Sequence, residues 1–163
     1  MSSIRERNKA LILRAASEEF ADKGFAAAKT QDIASKAGVP SEVLSGYIRS
    51  KIRISRDLPF ASKVFASEIM HGAPHLSADL VERLNGQAKH NIDCIQTWID
   101  RSQIAPIDPN HLMFSIWAAT QTYADFDWQI SAVTGKAKLD EADYEAAAQT
   151  IIRLVLKGCE PDR

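Results

Sequence analysis

Cysteine is scarce in this sequence, with only Cys94 and Cys159 among 163 residues. The two lie far apart and match no metal-ligand spacing, so reduced thiols in a cytoplasmic protein are expected rather than a disulfide framework. No apolar run approaches the roughly 18 residues that a membrane span needs. The charged start MSSIRERNKALILRAASEEF lacks the apolar stretch of a secretory leader. No segment alternates polar and apolar residues long enough to predict a strand, and there is no internal repeat. His71, His75, His90 and His111 are scattered, and Gly72 and Pro74 forbid a two-histidine helical metal face between the first pair. No Ser/His/Asp or Cys/His order, phosphate loop or paired-carboxylate motif is recognisable. Neither catalysis nor a metal or cofactor is therefore expected.

What is present is an asymmetry of charge. Residues 1–56 carry 11 Lys/Arg against 6 Asp/Glu, whereas the whole chain has a net charge of −1. A basic head on an acidic body suits a duplex-binding protein. Cationic side chains release counterions from phosphates, and the acidic remainder stays clear of the DNA.

The periodicity is helical throughout. Ile12, Ala16 and Phe20 recur at i+4, and Gly24 follows as a helix stop. Short helices are expected over residues 30–37 and 41–48, with Gly38 between them. A further helix starts at Pro59 and stops near Met70. Leu84, Ala88, Ile92, Ile95 and Ile99 predict a long helix from Ser77 to Asp100. Asp108 as N-cap with Pro109 at the first helical position restarts the chain, and that helix is expected to reach Gln129. Asp140 caps a last helix with an apolar stripe of Tyr144, Ala148, Ile151, Leu154 and Val155, which ends at Gly158.

The string Asp32-Ile33-Ala34, then Ala37-Gly38-Val39, spells the brace and tight turn of a helix-turn-helix. With Phe20, Gly24 and Phe25 upstream and Ser50-Lys51 downstream, the chain resembles the TetR family of transcriptional repressors. The body resembles its pyrimidine-utilisation branch. That likeness rests on Ser55-Arg56-Asp57-Leu58-Pro59, Gly72-Ala73-Pro74, Ala105-Pro106-Ile107-Asp108-Pro109 and the run from Trp117 to Phe126. The resemblance implies an all-α protein with a helix-turn-helix head over residues 1–52 and a shortened effector-binding, dimerising body over residues 53–163. It implies a homodimer that represses from a palindromic operator on double-stranded DNA and answers to uracil or thymine.

By position in that family, Lys29, Gln31, Ser41, Glu42, Ser45, Tyr47 and Lys51 are the expected DNA contacts. The plain alternatives are solvated surface charge for the lysines and a core plug for Tyr47. The head departs from the family pattern in several places. Ala28 stands where a capping hydroxyl is usual, a loss of ~1 kcal/mol. Pro40-Ser41 replaces a Ser-Lys start, and Gly46 sits inside a short helix at a cost of ~1 kcal/mol. Ser50-Lys51 is followed almost at once by Ile54-Ser55-Arg56-Asp57, strings that the family separates by the helix joining head to body. Two readings stay open: an effector-responsive repressor, or a shortened member that dimerises and binds ligand without reading DNA.

For the effector, Trp117, Gln121 and Asp125 fall at i, i+4 and i+8 on one helical face. A flat ring that stacks, an amide and a carboxylate suit the alternating N–H and C=O edge of a pyrimidine. Tyr123 lies on another side and is a weaker candidate. The alternatives are plain core for Trp117 and a solvated helix end for Asp125. Dimerisation is expected through the last two helices, with Ala146, Ala147 and Ala148 small enough for close approach.

Overall fold

The computed structural model describes residues 39–161. Among them are six helices and no strand, as the periodicity predicts: α1 (Pro40–Asp57), α2 (Pro59–Met70), α3 (Ala78–Asp100), α4 (Pro109–Asp125), α5 (Asp127–Thr134) and α6 (Glu141–Gly158). Helix α4 is the hub and packs against α1, α2, α3, α5 and α6, while α1 also packs along α6.

The largest departure from expectation is α1. The helix expected to stop near Ile48 runs unbroken to Asp57, straight through the expected domain boundary between residues 52 and 53. Its stripe explains why. Leu44, Ile48 and Ile52 stand at successive i+4 positions and are buried, with Ile48 completely enclosed. Arg49, Arg53 and Arg56 fall outside that stripe; Arg49 pairs with Glu145 and Arg56 with Glu141 on α6. Pro40 at the first helical position starts the helix without a side-chain cap. Pro59 ends it, because a residue before proline is driven out of the helical region, and Leu58 has φ −129° and ψ 46°. A helix built this way packs into the core against α4 and α6.

The other boundaries follow local chemistry. Ser77 accepts a hydrogen bond from the Leu80 N–H at the start of α3. Asp108 accepts from the N–H groups of Asn110 and His111 at the start of α4. Asp140 and Asp143 close a reciprocal capping box on α6. The expected single helix from Pro109 to Gln129 instead breaks at Phe126 (φ −117°, ψ 32°), and α5 continues to a left-handed Gly135. The break coincides with two side-chain ties to α2: Ser62 to Asp125 and Lys63 to Asp127.

One core joins Val43, Leu44, Ile48 and Ile52 to Ile95, Trp98, Leu112, Met113, Ile116, Ala147, Ala148 and Ile151. Beside it Ser55 Oγ donates to the Thr120 carbonyl at 2.9 Å, both residues being fully buried. Small side chains at this crossing let α1 and α4 approach closely. Cys94 and Cys159 are not joined in a disulfide. No helix of the described residues is long and apolar enough to cross a membrane.

Candidate effector cavity

Helices α1 to α4 enclose a cavity of about 500 Å3, partly open to solvent. Its walls differ in character. The α1–α4 wall supplies Tyr47, Lys51, Trp117, Gln121 and Asp125. The α2–α3 side supplies Phe65, Ile69, Met70 and Leu84, with Asn85 beside them.

The polar wall follows from two ladders at helical spacing. Tyr47 and Lys51 are one turn apart on α1, and Trp117, Gln121 and Asp125 are successive turns of α4. They meet where Trp117 Nε1 donates to the Tyr47 hydroxyl at 2.8 Å. That bond occupies an acceptor site on the phenol and leaves its O–H to donate. Burial raises the Tyr47 pKa to about 12, partly offset by the indole N–H, so the phenol stays protonated. Lys51 Nζ lies 5.9 Å from the Tyr47 ring centroid. Burial alone lowers the Lys51 pKa to about 8. Its ammonium has no carboxylate or hydrogen-bond partner among the described residues, an expensive arrangement that a ligand acceptor would relieve.

At the other end Ser62 Oγ, itself buried, donates to Asp125 Oδ1 at 2.9 Å. Burial raises the Asp125 pKa, with the Ser62 hydrogen bond and the Lys63 charge opposing the shift. The serine fixes one carboxylate oxygen and leaves Oδ2 to accept. Gln121 brings an amide with no hydrogen-bond partner among the described residues. The wall thus presents hydroxyl and ammonium from α1 and amide and carboxylate from α4, beside an indole.

The rim is pinned by a buried acid. Glu68, at the end of α2, is 4% exposed and accepts from both the backbone N–H and Nδ1 of His75. Burial raises its pKa, but the His75 hydrogen bonds and charge outweigh that and hold it below the usual value. Gly72 takes φ +82° in this turn, which its missing Cβ permits.

The predicted residues divide clearly. Trp117, Gln121 and Asp125 come together on the cavity as their spacing implies. Tyr123 does not join them; its ring packs 6.4 Å from that of Tyr144 against the core. Tyr47 and Lys51, expected on phosphate, are turned into the cavity because the opposite side of α1 is committed to the core. Ser41 and Glu42 are exposed on the first turn, and Ser45 Oγ donates to the Ser41 carbonyl at 2.6 Å. Lys29, Gln31 and the Gly38 turn lie outside the described residues. Sequence reasoning missed Ser62 and Asn85. It also overlooked a usable signal: Leu44-Ile48-Ile52 continues one stripe past the supposed end of the head.

The described residues thus form an all-α body with a cavity walled by four helices. The sequence matches the family described as YcdC-like protein, C-terminal region, over residues 26–162, and the chain belongs to that TetR-type family. The HTH-type transcriptional regulator RutR of Escherichia coli (strain K12) is 39% identical over 122 residues, 75% of this chain and 58% of that protein. RutR of Shigella flexneri gives the same values. The chain therefore spans less than two thirds of the curated relatives it matches. These relatives are regulators, not enzymes.

Proposed function

We propose that this chain is a TetR-family transcriptional regulator whose residues from Pro40 onward form an effector-binding, dimerising body, and that the effector is a pyrimidine such as uracil or thymine. The observation that carries the reading is the convergence of Tyr47, Lys51, Trp117, Gln121 and Asp125 on one cavity. A pyrimidine offers carbonyls to Lys51 and Gln121, an N–H to Asp125, and a ring face to Trp117. Titration calorimetry with uracil and thymine tests it. Saturable binding that weakens at least tenfold in Gln121→Ala and Asp125→Asn supports the reading, and no heat with either base overturns it.

A second copy covers the outer face of α4 and α6. Phe114 and Leu154 are exposed there at 49% and 69%, a poor arrangement for a monomer in water. Ala147 and Ala148 are used within the protomer, which leaves Ala146 for close approach between copies. Sedimentation of wild type as a dimer and of Leu154→Glu as a monomer is the expected outcome.

The packing of α1 favours a specific second reading of the DNA question. Its core-facing stripe and its cavity-facing Tyr47 and Lys51 leave only Ser41, Glu42 and Ser45 of the expected α1 contacts near solvent. Operator recognition is then carried by residues before Val39, Lys29 and Gln31 among them, or is absent and the chain acts as a ligand-binding dimer. Selection from random duplexes at modest salt separates the two: an enriched palindrome supports recognition by the earlier residues, and no enrichment supports the ligand-binding dimer.

A further inference from the structure

The cavity is larger than the ligand so far assigned to it. About 500 Å3 lies within the range of pockets that enclose drug-sized molecules. It corresponds to roughly sixteen liquid-water volumes at ~30 Å3 each, and a bare pyrimidine ring fills well under half of that. The excess is not distributed evenly. Hydrogen-bonding groups line α1 and α4, and Asn85, Gln87 and Asn91 add amides from further along α3, whereas Phe65, Ile69, Met70, Leu76, Val81 and Leu84 supply apolar surface from α2, the rim and the start of α3. Two of these remain uncovered by the protein: Ile69 is 50% and Met70 78% exposed. Leu84 continues the stripe that buries Ile95 further along α3, yet at Leu84 the stripe faces the cavity and not the core.

We infer that the cavity has a second, apolar subsite between α2 and the first turns of α3, and that its ligand is a planar polar ring carrying an alkyl or aryl substituent which fills it. The ring lies against Trp117 with its edge on Lys51, Gln121 and Asp125. The substituent leaves the ring toward Leu84 and Met70 and covers the apolar surface that water otherwise wets. This rests on the reading of the cavity as the effector site and adds a chemical class to it.

The test is calorimetry on the full chain with uracil, 5-propyluracil and 6-propyluracil, repeated on Leu84→Asn and Ile69→Gln. Both substitutions are at partly exposed positions, and circular dichroism verifies that helicity is kept. The expected result is that at least one propyl derivative binds tighter than uracil, by about fourfold for each methylene buried. Either variant removes that gain while its affinity for uracil itself stays within about twofold of wild type. If uracil binds and neither derivative binds tighter, the apolar subsite is overturned while the pyrimidine reading stands. If none of the three binds, both fall together. A gain that survives both variants also overturns the subsite, because the substituent then lies elsewhere.

Discussion

Helices α1 and α4 each carry an aromatic residue followed one turn later by a polar one: Tyr47–Lys51 and Trp117–Gln121–Asp125. The two ladders line the same cavity side by side and are joined by a single hydrogen bond. Yet read as sequence they point to different partners, the first to phosphate and the second to a small ligand. The difference lies in what surrounds them. The α4 ladder stands on a long helix with clear caps at Asp108 and Pro109, so its face is fixed. The α1 ladder follows a plausible helix-turn-helix spelling, and a short motif outweighed the longer apolar stripe. A motif defines neighbours along the chain; a stripe defines what the helix packs against, and packing decides which way Tyr47 turns.

The comparison breaks most sharply at Ile48. Were α1 a surface recognition helix, truncation there would cost little. As a fully enclosed core residue, Ile48→Ala is expected to lose about 2–5 kcal/mol in urea unfolding, and a loss below ~0.5 kcal/mol would return α1 to the surface. The link between the ladders gives the next effect. Trp117→Phe keeps the ring but removes the N–H that holds the Tyr47 hydroxyl, and an affinity loss for uracil of about tenfold is expected by calorimetry.

Lys51 supplies a test by pH. In the unfolded chain it keeps its proton to about 10.5, whereas in the folded chain it releases it near 8. Between those values the unfolded state binds more protons, so stability rises as pH climbs from about 8 toward 10.5. Below 8 the full penalty of burying the charge is present. Lys51→Met should therefore raise stability at pH 7 by on the order of 1 kcal/mol, an advantage that shrinks above pH 8 in parallel denaturation curves. Ligand affinity should move the opposite way, falling in wild type as pH passes 8 because the cationic donor is lost. The smallest effect is expected outside the cavity. Arg49→Ala breaks the exposed pair with Glu145 and should change stability by less than ~1 kcal/mol in the same assay.

Much of the fold was legible in the chain. Caps at Asp108 and Asp140, and the prolines at 59 and 109, act within one helical turn, so their effect is readable from neighbours alone. The α4 face of the site was legible for the same reason: Trp117, Gln121 and Asp125 share a side of any straight helix. The break at Phe126 was not, because it coincides with ties from Ser62 and Lys63 on another helix. Nor were the positions of Tyr47 and Ser62, whose hydrogen-bond partners lie 70 and 63 residues away along the chain.

By itself the sequence determined that the described part is helical, where most helices start, and which side chains share a face. Those properties arise from backbone hydrogen bonding and side-chain spacing over a few residues. Only the tertiary structure decided that α1 packs against α4 and α6, that its Tyr47 and Lys51 line a cavity, and that Tyr123 lies against Tyr144. The reason is that burial is a property of facing surfaces. Leu44, Ile48 and Ile52 cannot leave water until α4 and α6 are in place, and once they do, the remaining faces of α1 have no choice of direction.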